Sequence, residues 1–130
     1  MLPTKIALVL RDDLPPNLAA NAAAVLGLTL GARLADLLGE DVKDADGTLH
    51  PGLNTHPVPV LTAPADRLKA LYRAGDVLRI GFTEVARRAR TYGEYVEALS
   101  AATDPGFVAV ALYGPRAEVG RLTRDLPLMA

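Results

Sequence analysis

Hydrophobic and polar positions alternate between strand-like and helix-like spacing along the whole chain. Ile6-Ala-Leu-Val-Leu10 is a continuous apolar run, the pattern of a central strand covered on both faces. It breaks off in three charges, Arg11-Asp12-Asp13, and Leu14-Pro15-Pro16 stops it. Asn17 stands where an N-cap is expected and opens a helix running to about Leu38, with Gly39 as its stop signal. This helix is apolar nearly all round until Arg33, which predicts that most of it is buried. Ala19, Ala23, Gly27 and Gly31 recur every four residues and form a ridge without side-chain bulk. The ridge is expected to pack closely on the sheet or on a second subunit.

Glu40 to His56 is polar and turn-rich, and Asp44-Ala-Asp46-Gly47 suits a tight hairpin turn. Pro57-Val-Pro-Val-Leu61 reads as a short strand whose prolines put its first half at an edge or outside regular pairing. Thr62-Ala-Pro64-Ala-Asp66 opens a second helix with Leu68, Leu71 and Tyr72 as its apolar face, ended by Gly75. Asp76-Val-Leu-Arg-Ile80-Gly-Phe82 alternates and predicts a strand exposed on one face. Thr83-Glu84 leads into helical sequence with Arg87, Arg88 and Arg90, and Tyr92 to Ala101 forms a further helix. Phe107-Val-Ala-Val-Ala-Leu112-Tyr113 is the second continuous apolar run, and Gly114-Pro115 starts a last helix, Arg116 to about Arg124. The order β-α-β-α-β-α-β-α predicts the α/β class: a three-layer α/β/α sandwich around a mixed four-stranded sheet. Ile6–Leu10 and Phe107–Leu112 should lie side by side at its centre. With no linker or repeat in sight, residues 1–130 read as one α/β domain.

Composition narrows the function classes. The net charge is −1, whereas neutralising phosphates along a nucleic acid needs a clear basic excess. Residues 1–66 carry four Lys/Arg against eight Asp/Glu, and residues 67–130 carry ten against seven, read as ordinary surface variation. With no cysteine, disulfides, thiolate metal sites and thiol nucleophiles are excluded. Met1-Leu-Pro-Thr-Lys5 leads straight into a strand and does not resemble a signal peptide. Leu18 to Ala32 falls short of the ~20 apolar residues that span a bilayer. The expectation is a cytoplasmic protein, off the membrane, without a cofactor.

In open α/β sheets, ligands sit in the crevice beyond the carboxyl ends of the strands. Arg11, Asp12 and Asp13 lie at such an end: Arg11 could clamp an anion and a carboxylate could act as base, or the aspartates could simply cap local amides in a solvated turn. Asn17 and Asn21, one helical turn apart, share a face, and a buried amide at Asn21 would need partners. Thr83 reads as an N-cap and Glu84 as a first-turn acid or a polar clamp. The candidate site for a small polar or anionic ligand is therefore Arg11, Asp12, Asp13, Asn17, Asn21, Thr83 and Glu84. Arg87, Arg88 and Arg90 could hold a phosphate or form a solvated helix face. His50 and His56 read as surface histidines of the hairpin region, and no metal site is expected, because the calcium-loop pattern fails around Asp44 and Asp46. Phosphate-loop and dinucleotide glycine patterns are absent, as is a Gly-x-Ser-x-Gly elbow.

Lys5-Ile-Ala-Leu-Val-Leu-Arg11-Asp12-Asp13-Leu-Pro15-Pro16, Leu18-Ala-Ala-Asn21-Ala-Ala-Ala, Asp44-Ala-Asp46-Gly47, Pro57-Val-Pro-Val-Leu61 and Ala111-Leu-Tyr-Gly114-Pro115-Arg116 together resemble the bacterial family called domain of unknown function 2000. The resemblance spans nearly the whole chain and implies a fold similar to type II peptidyl-tRNA hydrolases. Those enzymes place a catalytic lysine where this chain has Asn17, and Ser and His where Ala23 and Ala24 stand. Their Asp-Ala-Gly-x-Thr stretch has no clear counterpart in Gly81-Phe-Thr83-Glu84-Val, where Glu84 is a loose stand-in for the acid. The resemblance thus implies the fold and not the activity. Ligand binding at the crevice is the first reading. A peptidyl-tRNA hydrolase-like enzyme and a non-catalytic homodimeric interaction module are the alternatives, and a homodimer is the expected assembly.

Overall fold

A computed structural model describing residues 1–130 places a mixed four-stranded sheet between helices. Its strands are β1 (Thr4–Arg11), β4 (Val60–Ala63), β5 (Leu78–Thr83) and β6 (Phe107–Pro115), in the order β4-β1-β6-β5. β1 runs parallel to β4 and antiparallel to β6, and β6 runs antiparallel to β5. The two continuous apolar runs are therefore the central pair, with Leu8 opposite Ala111. The remaining strands, β2 (Val42–Lys43) and β3 (Leu49–His50), form the small hairpin, and Gly47 adopts φ +83° in its turn. The helices are α1 (Pro16–Arg33), α2 (Ala65–Arg73), α3 (Glu84–Arg88), α4 (Tyr92–Ala101) and α5 (Arg116–Thr123).

The period of two in β1 divides the core. Ile6, Leu8 and Leu10 face α1, while Ala7 and Val9 face α2 and α5. A bulge between Phe82 and Thr83 in the β5–β6 ladder turns both Val108 and Ala109 to the α1 side. The prolines at 57 and 59 delay β4 until Val60, because they have no N–H to give to a ladder. The outer edge of β4 is closed by the chain's last residues: Thr62 N–H donates to Pro127 O (3.0 Å) and Met129 N–H to Val60 O (2.9 Å).

Helix α1 differs from its sequence pattern in three ways. Pro15 occupies the N-cap position and Pro16 the first turn, so Asn17 lies inside the helix and caps nothing. The helix ends at Arg33, short of Leu38, where Leu34 leaves helical geometry before a 3-10 turn over Ala35–Leu37. Only the stripe Ala19, Ala22, Leu26 and Leu30 is buried, while Asn21 is exposed and Leu28 is 78% exposed. Alanine and glycine give little hydropathy contrast between the two faces, so the pattern could not show which side met the sheet.

The ridge packs on the sheet over its first half only. Ala19 is buried and Ala23 half-buried, but Gly27 and Gly31 are exposed, and a Cβ at either would meet nothing within 4 Å. These two glycines border an apolar hollow of about 280 Å³ between α1, β1 and the turn after α1. Gly27→Ala should therefore raise stability by about 0.5–1 kcal/mol, the helix-propensity difference without a steric term. A lower thermal midpoint would mean that something packs on this face.

A different glycine pair is tightly placed. Gly39 N–H donates to Leu53 O (2.8 Å) and Thr55 N–H to Leu37 O (2.8 Å), so the segment after α1 crosses the segment after β3. Gly52 lies so close to this crossing that a Cβ there would sit 1.9 Å from Gly39 O.

Candidate functional site

The end of β1 gathers four of the seven residues singled out in the sequence. Thr83 ends β5, is buried, and caps α3 by accepting from Ala86 N–H (3.2 Å). Glu84 follows, anchored through its own N–H to Gly106 O (2.7 Å), where Gly106 turns at φ +72°. Its carboxylate accepts from Arg87 Nε (2.9 Å) and Nη2 (2.7 Å) and from Arg11 Nη1 (3.3 Å), with Arg88 at 3.6 Å. Arg11 in turn donates from Nε to Asp13 (2.5 Å). Asp12, Asn17 and Asn21 are exposed, and none of their side chains joins this network. Asn21 is thus not the buried amide that its apolar surroundings in sequence suggested.

The electrostatics of the network point to anchoring. Arg87 first, then Arg11, hold the Glu84 carboxyl below its ordinary range, against the opposing effect of burial. A general base or acid working near neutrality needs the reverse shift. Arg11 and Glu84 side chains are each 21% exposed, so water partly screens the pair. What the arrangement does is tie the end of β1 to the start of α3.

A cleft lies elsewhere, beside β5. It encloses about 580 Å³ between α1, the free edge of β5 and the α3–α4 connection. Five consecutive β5 residues, Leu78 to Phe82, line it, so it follows the strand edge rather than one face of the sheet. Arg33 from α1, Arg79 from β5 and Arg90 from the α3–α4 link are among its lining residues, and no acidic residue lines it. None of the three has a carboxylate within 4 Å, whereas Arg11, Arg67, Arg87, Arg88 and Arg121 all do. Arg79 donates to Gly75 O (2.9 Å) and lies 5.8 Å from the centre of the Tyr72 ring. Tyr92 and Tyr95 form the far wall with ring centres 5.4 Å apart, and burial raises the Tyr95 phenol.

Of the basic run Arg87, Arg88 and Arg90, the first two turn to Glu84 and only Arg90 enters the cleft. Arg33, Arg79 and the tyrosines come from four separate elements, so no local spacing marks them as a group. Of the two arginines only Arg79 contributes to the positive balance of residues 67–130. His50 is exposed in the hairpin, 2.8 Å from the Asp44 carboxylate, whose acidity it strengthens. His56 is not a surface residue: it lies beyond the hairpin, is 7% exposed, and meets Thr4 Oγ1 at 2.7 Å. No three His, Asp or Glu side chains are grouped to hold a metal ion, and no helix is long and apolar enough to cross a membrane.

Residues 4–130 match the model of a family described as Protein of unknown function (DUF2000). The fold is similar to the solved structure of Atu0240, a protein of unknown function from Agrobacterium tumefaciens strain C58. The two share 24% identity over the full length of both chains, with a TM-score of 0.91. No curated protein matches the chain.

Proposed function

The chain belongs to the DUF2000 family, and since that membership brings a fold without a reaction, we propose from the site itself that the protein binds a small anion carrying a flat apolar group, in the cleft along β5. The observation that carries this reading is the set Arg33, Arg79 and Arg90, three guanidinium groups without carboxylate partners on one cleft without acids. Like charges lining one concave surface without acids favour an anion there, and a bound anion offsets their mutual repulsion. A guanidinium presents a planar fork suited to carboxylate or phosphate oxygens. Tyr92 and Tyr95 offer aromatic surface for a planar group. The volume of about 580 Å³ falls within the range of small-molecule sites.

In this reading the strand-end residues act at one remove. Arg11 and Glu84 fix α3, and the next turn of chain carries Arg90 and Thr91 into the cleft wall. Thr83 and Asp13 support the same anchor, while Asp12, Asn17 and Asn21 have no part in it. Phenyl phosphate is a suitable probe, titrated by calorimetry. The double variant Arg33→Gln/Arg90→Gln should bind at least tenfold more weakly, since a charged hydrogen bond contributes about 1.5–3 kcal/mol, and should melt like the parent. Saturable binding that the double variant leaves unchanged, or no binding by the parent, would sink the proposal.

The fold similarity to type II peptidyl-tRNA hydrolases that the sequence implies supports a second reading, because three arginines without carboxylate partners also suit an RNA phosphate. Against it stand Asn17 in the place of the lysine and a Glu84 carboxylate already engaged by Arg87 and Arg11. The homodimeric module draws its support from the exposed face of α1 around Leu28.

A further inference from the structure

We propose that a second anion site lies at the opposite end of β1, built by Thr4, Lys5, His56 and Arg116, and that it takes a phosphate group or a similar tetrahedral oxyanion. It shares no residue with the cleft along β5 and does not depend on that reading. These four residues and the stretch Pro57–Pro59 enclose about 320 Å³. The opening has a cause in the sequence. Leu8 N–H donates to Pro59 O (3.0 Å), but Pro57 and Pro59 have no N–H to return, so the chain beside the first half of β1 stays unzipped.

Charge and hydrogen bonding both leave the site short of a negative partner. Lys5 and Arg116 have no carboxylate within 4 Å, and no acidic residue lines the cavity. Arg116 Nε donates to Leu2 O (2.7 Å), which fixes the guanidinium and leaves its two terminal nitrogens without a protein acceptor. Behind them, Tyr113 O–H donates to Thr4 Oγ1 (3.3 Å), and His56 Nε2 lies 2.7 Å from the same oxygen. A hydroxyl has one proton and two lone pairs. When His56 Nε2 carries hydrogen, it and Tyr113 fill both lone pairs, and the Thr4 proton must find an acceptor elsewhere. The cavity is the space that Thr4 lines, and an oxyanion there supplies that acceptor. Binding therefore selects the state in which Nε2 donates.

The test is a titration of the full chain with inorganic phosphate, read by NMR at the His56 imidazole nitrogens. A saturable change toward a protonated Nε2 is expected. Lys5→Met, which keeps the stem and removes the charge, should weaken binding about tenfold or more, and Lys5→Arg should restore it. Arg90→Gln, in the other cleft, should leave it unchanged, so the two proposals fail separately. No response at His56, or a response that Lys5→Met leaves intact while the variant melts cooperatively, overturns the site. If Lys5→Met does not fold, a response equally strong in Lys5→Arg and Arg116→Gln overturns it instead.

Discussion

Leu26→Ala is expected to lower the thermal midpoint by roughly 10–20 °C, the largest effect of any single truncation in α1. The fully buried residues of the helix are Ala19, Ala22, Leu26 and Leu30, with Ala23 and Val25 half-buried beside them. Two of the four buried residues are alanines, so the leucines supply most of the apolar area, and Leu26 is the one with no solvent exposure at all. It packs in the layer of Leu8, Phe82 and Ala109. Removing it takes away burial and leaves a hollow that small neighbours cannot fill, a change that costs about 2–5 kcal/mol. Against a total stability of about 5–15 kcal/mol, that is a large share. Circular dichroism melts of the parent and the variant decide it. A shift of only a degree or so would mean that α1 is held by something other than this stripe.

Gly52→Ala should be the most damaging addition of a single methyl group. The new Cβ would stand 1.9 Å from the carbonyl oxygen of Gly39. The obstacle is backbone, so no rotamer change relieves it, and the crossing held by the Gly39–Leu53 and Thr55–Leu37 hydrogen bonds must open. Overpacking of this kind typically costs about 1–3 kcal/mol. The comparison with Gly27→Ala is the sharper measurement, because the same chemical change should shift the midpoint in opposite directions. Hydrogen exchange should also speed up at Gly39 and Thr55 in the Gly52 variant. Unchanged protection at those two amides would show that the two segments do not cross as closely as described.

What the sequence discloses tracks side-chain contrast. The central pair of strands is legible because Ile6–Leu10 and Phe107–Leu112 have no polar interruption. The hairpin turn at Asp44–Gly47 is legible from local turn chemistry, and Thr83 at the head of α3 from capping chemistry. Helix α1 is misread because its Ala/Gly-rich turns look alike on every side, which made Asn21 seem buried and the whole ridge seem packed. His56 is misread because its burial depends on Thr4 and Tyr113, residues remote in sequence. The arginines of the β5 cleft are invisible for the same reason: Arg33, Arg79 and Arg90 line one cleft only once β5 takes the sheet edge. Local spacing finds elements, and sites made of single residues from several elements need the topology.

The topology also sets a timetable. β1 lies between β4 and β6, so one flank of the first strand is completed by the last. A ribosome releases Thr4–Arg11 early and Phe107–Pro115 only near the end, and until then β1 has β4 alone to pair with. Closing so long a loop adds little to the entropy of the finished fold, since that term grows only with the logarithm of length. It weighs on the rate, because pairings between distant parts of a chain form slowly. During that interval the apolar edge of β1 is open to other chains, which makes delay, more than weakness of the native state, the point at which this fold is vulnerable.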